Sequence, residues 1–265
     1  MPARPNKENG ILWSVAGVLI FLLGWVLAAQ YYHSNFILPG PLVVIRELPQ
    51  FIRQGNISHI WVTAAEAGLG FTIGLLTAVP LGTALAHKRW LERLVSPYII
   101  GAQAIPILAL APLLVLWFGY GLWSKILVAA MVSFFPILMN IVAGFKQIDP
   151  RWTELMSIMG ANPWQRWRRL DIPAALPFIF AGLRVGLTLS IIGAVVGEFA
   201  GAERGLGFLV NYARGLFDTP LMFLALVLLA CMGICCYLLL ALLERLVIPW
   251  RNAGRLASSE RPIEP

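Results

Sequence analysis

The sequence predicts an all-α membrane protein with six transmembrane helices, and three observations carry that reading. Of 265 residues, 59% are hydrophobic and only 12% are charged. The mean hydropathy is +0.77, which with so little charge suits a chain solvated by lipid. Six stretches also supply the roughly 20 apolar residues that a helix needs to cross a hydrocarbon core about 30 Å thick. They fall at about 11–32, 62–86, 97–118, 122–145, 174–198 and 220–244.

The first stretch has the outline of a signal peptide, because Arg4 and Lys7 precede it and Val26-Leu27-Ala28 resembles a cleavage site. Nineteen uninterrupted residues from Ile11 to Ala29 favour an uncleaved span. Next comes Pro39-Gly40-Pro41, which punctuates the chain ahead of PLVVIRELPQFI. Val43, Leu48, Phe51 and Ile52 in that run predict a short helix lying along the membrane surface.

Glycine and proline recur inside the spans: Gly70, Gly74, Pro80 and Gly82 in the second, Pro106 and Pro112 in the third, Pro136 in the fourth. Each proline removes a backbone hydrogen bond and tends to kink its helix, which serves either gating or static shape. The fifth span carries Arg184, and a charge at mid-membrane costs about 2.5–3.5 kcal/mol on insertion scales. It must therefore face protein or water, and Glu66 of the second span is its candidate partner. Glu66, Pro106 and Arg184 are thus candidates for a translocation path or for helix pairing. A stripe of Gly182, Gly186, Ser190, Gly193 and Gly197 lets backbones approach closely, within one subunit or between two.

Sidedness follows from the lysines and arginines, since basic loops are retained in the cytoplasm. With the N-terminus inside, fourteen fall in cytoplasmic segments; five, Arg46, Arg53, Lys125, Arg204 and Arg214, fall outside. Both termini are expected in the cytoplasm. The domain plan is an N-terminus over 1–10, a membrane domain over 11–250 and a tail over 251–265 that is too polar to pack. The net charge of +7 arises from these loops and implies no nucleic-acid partner. Cys231, Cys235 and Cys236 share one apolar run without other ligands at suitable spacing, so no metal is expected.

The cytoplasmic segment 146–173 is the anomaly, with ELMSIMGANPWQRWRRLDIP set between apolar runs. Asp149-Pro150 and Asn162-Pro163 each supply an N-cap followed by proline, and Gly160 can end the first helix in a left-handed conformation. Two short amphipathic helices, about 150–159 and 163–171, are expected. The first places Trp152, Leu155, Met156 and Met159 on one face, and the second sets Trp164 and Trp167 among Arg166, Arg168 and Arg169. Such helices either lie on anionic lipid or dock in a groove on a soluble partner.

Glu154, Gly160, Leu170, Ile172 and Pro173 together resemble the cytoplasmic signature of permease subunits of binding-protein-dependent ABC importers. Leu155 and Met156 depart from it, standing where two alanines usually follow the glutamate. QAIPILALAPLLVLWFGYG (103–121), FFPILMN (134–140), LPFIFAGLR (176–184) and GEFAGAERGLG (197–207) extend the likeness to the branch that imports sulfonates, taurine, nitrate and vitamin precursors. That resemblance implies a type I ABC importer permease fold in a prokaryotic cytoplasmic membrane. It also implies two ATP-binding cassette subunits that use the ATP, a second permease copy forming a homodimer, and an extracytoplasmic solute-binding protein. Glu154, Leu155, Met156, Gly160, Ala161, Trp164, Leu170 and Pro173 would form the ATPase-coupling loop. Glu198, Gly205 and Gly207, in a glycine-rich turn after the fifth span, would form an outer gate or a contact for the binding protein.

No Gly-x4-Gly-Lys-Ser/Thr phosphate loop occurs, so ATP must be held elsewhere and no cofactor is expected on this chain. His33, His59 and His87 stand near membrane edges without a catalytic arrangement, which argues for a transport subunit rather than an enzyme. The endings TPLMFLALVLL (219–229) and LLERLVIPW (242–250) resemble permeases for riboflavin or pyrimidine thiamine precursors, with sulfonate, taurine or nitrate as the alternative. An apolar, aromatic path agrees with a neutral heterocycle. The rival class is a secondary transporter, which would need ion-coupling groups at mid-membrane and commonly shows inverted repeats.

Overall fold

The computed structural model describes residues 7–249, all in helices and short connections with no strand among them. Of the expected N-terminus over 1–10, residues 1–6 lie outside the described residues, as does the whole expected tail over 251–265; residues 7–10 already belong to the first helix. The elements are α1 (Lys7–Tyr32), α2 (Pro41–Arg53), α3 (Ile57–His87), α4 (Arg89–Ala104), α5 (Ile107–Phe118) and α6 (Leu122–Lys146). They continue with α7 (Pro150–Ile158), α8 (Pro163–Arg166), a π turn (Trp167–Asp171), α9 (Ile172–Gly201), α10 (Leu206–Gly215) and α11 (Thr219–Val247).

Among these residues, five helical segments are long and apolar enough to cross a membrane, and the pair α4–α5 makes up to six. The single helix expected over 97–118 is instead two helices bent by 94° at Ile105-Pro106. Proline supplies no N–H to the ladder and drives the residue before it out of the helical region. Ile105 accordingly sits extended at φ −77°, ψ 121°, and Pro106 at φ −63°, ψ 119°.

The core is the trio α3, α6 and α9. Lipid gives apolar helices little reason to associate, so close backbone approach through small residues has to hold them. α6 is clasped from both sides. A Cβ on Gly182 would meet Asn140 at 2.6 Å, one on Gly186 would meet Ile137 at 2.6 Å, and one on Gly193 would meet the Ala129 Cα at 2.7 Å. From the other side Gly70 abuts Ala129, Gly74 abuts Ser133 and Gly82 abuts Ile141. The small-residue stripe of α9 therefore packs within the subunit.

A second group gathers α1, α2, α10 and α11. Val44 and Phe51, each 1% exposed, turn inward onto Leu206, Leu209 and Val210 of α10 and Leu224 of α11. The helix expected at 41–52 thus exists, but Phe51 points into protein rather than along the surface, while Leu48 and Ile52 stay exposed. Trp25 joins α1 to the group: its Nε1–H donates to the Pro39 carbonyl at 3.1 Å and its ring meets Phe223 at 6.2 Å. After the glycine-rich turn the chain forms α10, a helix the sequence reading does not name.

Candidate functional site

At one end of the trio, the segment between α6 and α9 is built from its caps. Asp149 Oδ1 accepts the Arg151 N–H at 2.9 Å with Pro150 at the first helical position, and α7 begins. It ends at Gly160, φ +73°, where the Gly160 N–H reaches the Ser157 carbonyl and the Ala161 N–H reaches Met156, both at 3.0 Å. That is the Schellman pattern, which places glycine in the left-handed region. Asn162 and Gln165 then close a reciprocal capping box, and Pro163 starts α8.

The second short helix expected over 163–171 is not a separate unit. α8 passes through the π turn into α9 without a break, and the Ile172 N–H donates back to Trp167. Pro173 has no N–H for the carbonyl four residues before it, and its ring crowds that carbonyl; a widened turn ahead of it relieves both problems. Consequently Asn162 and Trp164 sit on the end of a rod that continues as a span.

No residue of α7 is buried. Trp152, Leu155 and Trp164 are exposed, as are Ile158 at 78% and Met159 at 73%. Glu154 and Gly160 are exposed too, while Met156, Ala161, Leu170 and Pro173 are half-buried. The Trp164 and Trp167 rings stack at 5.1 Å. Behind α7 lies a cavity of about 1030 Å³, whose lining includes His87, Thr153, Glu154, Ala161, Arg166 and Asp171. Arg166 Nε donates to buried Asp171 at 3.3 Å, and Lys146 pairs with Glu92 of α4. An exposed apolar surface on a short, firmly capped helix can seat in a groove of another protein.

The opposite end of α9 holds a buried polar network. Glu198 is 1% exposed; its Oε1 accepts the Thr63 hydroxyl at 2.6 Å, and its Oε2 accepts the N–H groups of Gly207 and Phe208. Thr63 Oγ1 in turn accepts the Leu206 N–H at 2.7 Å, and His59 Nδ1 accepts the Gly205 N–H at 2.9 Å. Gly205 stands at φ +118°, and any Cβ there would collide with the Glu198 carboxyl. Glu198, Gly205 and Gly207 are therefore brought together as the sequence grouped them, but the glutamate is turned inward. Beside the network, α2 and α10 frame a polar recess of about 650 Å³, walled by the stacked rings of His59, Phe208 and Tyr212 at 5.8 Å spacings.

Glu66 belongs to this network and not to Arg184. It is 1% exposed and lies beside the Glu198 carboxyl. Arg184 lies fourteen residues earlier on α9, about 21 Å along the axis. Its partner is Glu244 of α11, with the guanidinium 5.3 Å from the Tyr237 ring centroid. Pro106 marks the α4–α5 bend.

Sequence reasoning does not single out Thr63, His59 or Glu244 as site residues. Glu244 gives little signal, because it stands at the end of the apolar run over 220–244; the structure carries α11 on to Val247 and so places it inside the helix. For Thr63 the signal is its spacing of three from Glu66, which puts both on one helix face.

The family model described as binding-protein-dependent transport system inner membrane component matches residues 70–251. The riboflavin transport system permease protein RibX of Chloroflexus aurantiacus is 49% identical over 234 residues, covering 88% of this chain and 87% of that protein. The formylaminopyrimidine transport permease protein ThiX of Halalkalibacterium halodurans is 33% identical over 234 residues, 88% of this chain and 94% of that one. Among solved structures, a chain of the MetNI methionine ABC transporter in an inward-facing conformation superposes with TM-score 0.65 at 21% identity. That likeness covers 72% of this chain and 95% of the other.

Proposed function

The chain belongs to the family of binding-protein-dependent transport system inner membrane components, and on that premise we propose that it imports riboflavin or a pyrimidine thiamine precursor. As the permease of an ABC importer it provides the solute path, while ATP is hydrolysed on separate subunits. We place it in a prokaryotic cytoplasmic membrane, with both termini and residues 146–173 on the cytoplasmic side. Its partners are two ATP-binding cassette subunits, a second copy of itself, an extracytoplasmic solute-binding protein and lipid.

One observation supports the coupling role above the others: α7 offers exposed apolar side chains on a capped helix, and α8 continues rigidly into α9. A partner that grips Trp164 moves a span directly, and one that grips Leu155, Ile158 and Met159 moves it through the capped turn at Gly160. If the ATPase dimer contacts this surface differently in its open and closed states, that difference in contact free energy shifts the pore between facing outward and facing inward. Glu154 and Ala161, at the cavity behind α7, set how deeply the partner seats. Arg184 with Glu244 fastens α11 to the core, a pairing role rather than a path for charge.

Support for the solute comes from the names of the 49% and 33% identical relatives. The test is to purify the binding protein encoded beside the gene and titrate it with riboflavin, formylaminopyrimidine, taurine and nitrate, then to measure uptake by the reconstituted complex. Tightest binding and ATP-dependent uptake of riboflavin or the pyrimidine supports the reading. Preference for taurine or nitrate overturns it.

A further inference from the structure

We propose that Glu198 is a positioning residue for transport: with Thr63 it forms a latch that binds the start of α10 to α3 and α9, so that the three move as one unit. The first N–H groups of any helix lack partners within that helix. At α10 the residue in the capping position is Gly205, which has no side chain to offer. Its neighbours' donors are instead taken by two other helices. α3 accepts from Gly205 through His59 and from Leu206 through Thr63; α9 accepts from Gly207 and Phe208 through Glu198. Thr63 closes the ring, since its hydroxyl donates to Glu198 while accepting from Leu206.

The geometry leaves little slack. A Cβ on Gly207 would lie 2.7 Å from Glu198 Oε2, and one on Gly205 would collide with the same carboxyl, so the start of α10 has no room to move closer to it. Carboxylate acceptors at a helix N-terminus also gain from the helix dipole. What the latch positions is a surface: Phe208 and Tyr212 of α10 wall the recess that α2 closes on its other side. A displacement of α9 driven from the α8 end thus reaches that recess through side chains rather than through the loop 202–205 alone.

The test compares Glu198→Ala, Glu198→Gln and Thr63→Val with the unaltered chain in the complete complex of permease, ATPase and binding protein in proteoliposomes. Two readouts are taken: amide hydrogen exchange across residues 203–212, and ATPase rate against concentration of loaded binding protein. In Glu198→Ala and Thr63→Val, exchange at residues 206–208 should rise about tenfold or more. The half-saturating concentration of binding protein should rise about fivefold with a smaller change in maximal rate. Glu198→Gln keeps an acceptor oxygen and a similar volume, and should restore both. Unchanged exchange and half-saturation in Glu198→Ala and Thr63→Val overturn the latch, as does a Glu198→Gln chain as impaired as Glu198→Ala. The second readout rests on the transport reading; if the unaltered complex shows no response to binding protein, that reading fails while hydrogen exchange still judges the latch.

Discussion

Asn162 and Gln165 hold each other's backbone. The Asn162 side-chain oxygen accepts the Gln165 N–H at 2.8 Å, and the Gln165 side-chain oxygen accepts the Asn162 N–H at 2.9 Å. This box fixes the near end of the rod formed by α8, the π turn and α9, and such a cap contributes about 1 kcal/mol. Asn162→Ala should fray α8 and lower uptake about fivefold at unchanged membrane insertion, whereas Asn162→Asp should stay near the unaltered rate. Full uptake by Asn162→Ala in proteoliposomes would show that the box has no part in coupling.

Arg184 and Glu244 form a partly buried pair, with side chains 24% and 7% exposed. Removing one partner strands the other, at a cost that reaches about 3–5 kcal/mol for fully buried pairs and is smaller here because the arginine remains partly exposed. Arg184→Met and Glu244→Leu should each lower the thermal midpoint of the detergent-solubilised protein. The double substitution should recover most of the loss. Additive losses in that cycle would mean the two side chains do not stabilise each other.

Packing of α6 gives a contrast between two glycines. A Cβ on Gly193 would meet the Ala129 backbone at 2.7 Å, while one on Gly68 meets nothing within 4 Å. Gly193→Val should destabilise by about 1–3 kcal/mol through overpacking, seen as a lower melting temperature and poorer recovery in detergent. Gly68→Ala should leave both unchanged. If Gly193→Val were tolerated as well as Gly68→Ala, α6 and α9 could not be clasped as described.

Much of this architecture is legible in the sequence because the signals are local. Asp149-Pro150, Gly160 and Asn162-Pro163 each state a helix boundary in two or three residues, and the caps form as those residues require. Long apolar runs likewise locate α1, α3, α6, α9 and α11. Pro106 reads as a kink but breaks its helix, because the preceding Ile105 is extended as well. The buried network is legible only in part. Glu198 and its glycines lie within ten residues of one another, but Thr63 is 135 residues away and no spacing rule joins them. Arg184 pairs with Glu66 on paper for want of another charge inside a span, while Glu244, 60 residues along the chain, stands at what looks like a helix end. α10 escapes notice because glycines mask its start; Leu206, Leu209, Val210 and Ala213 nevertheless repeat at helical spacing, and all four are buried.

In the proposed mechanism residues 149–173 transmit ATPase motion to the span, and Gly160 is the joint most open to a test. Open space surrounds it, with no atom within 4 Å of where a Cβ would stand, yet its φ of +73° excludes a β-branched residue. Gly160→Val should therefore reorient α7 against α8 while leaving the membrane core untouched. The decisive measurement is ATP hydrolysed per solute imported by the reconstituted complex, with Gly160→Val beside the unaltered chain. Normal insertion is expected, with hydrolysis continuing and uptake reduced about tenfold or more. Equal uptake per ATP in the two proteins would contradict the coupling role.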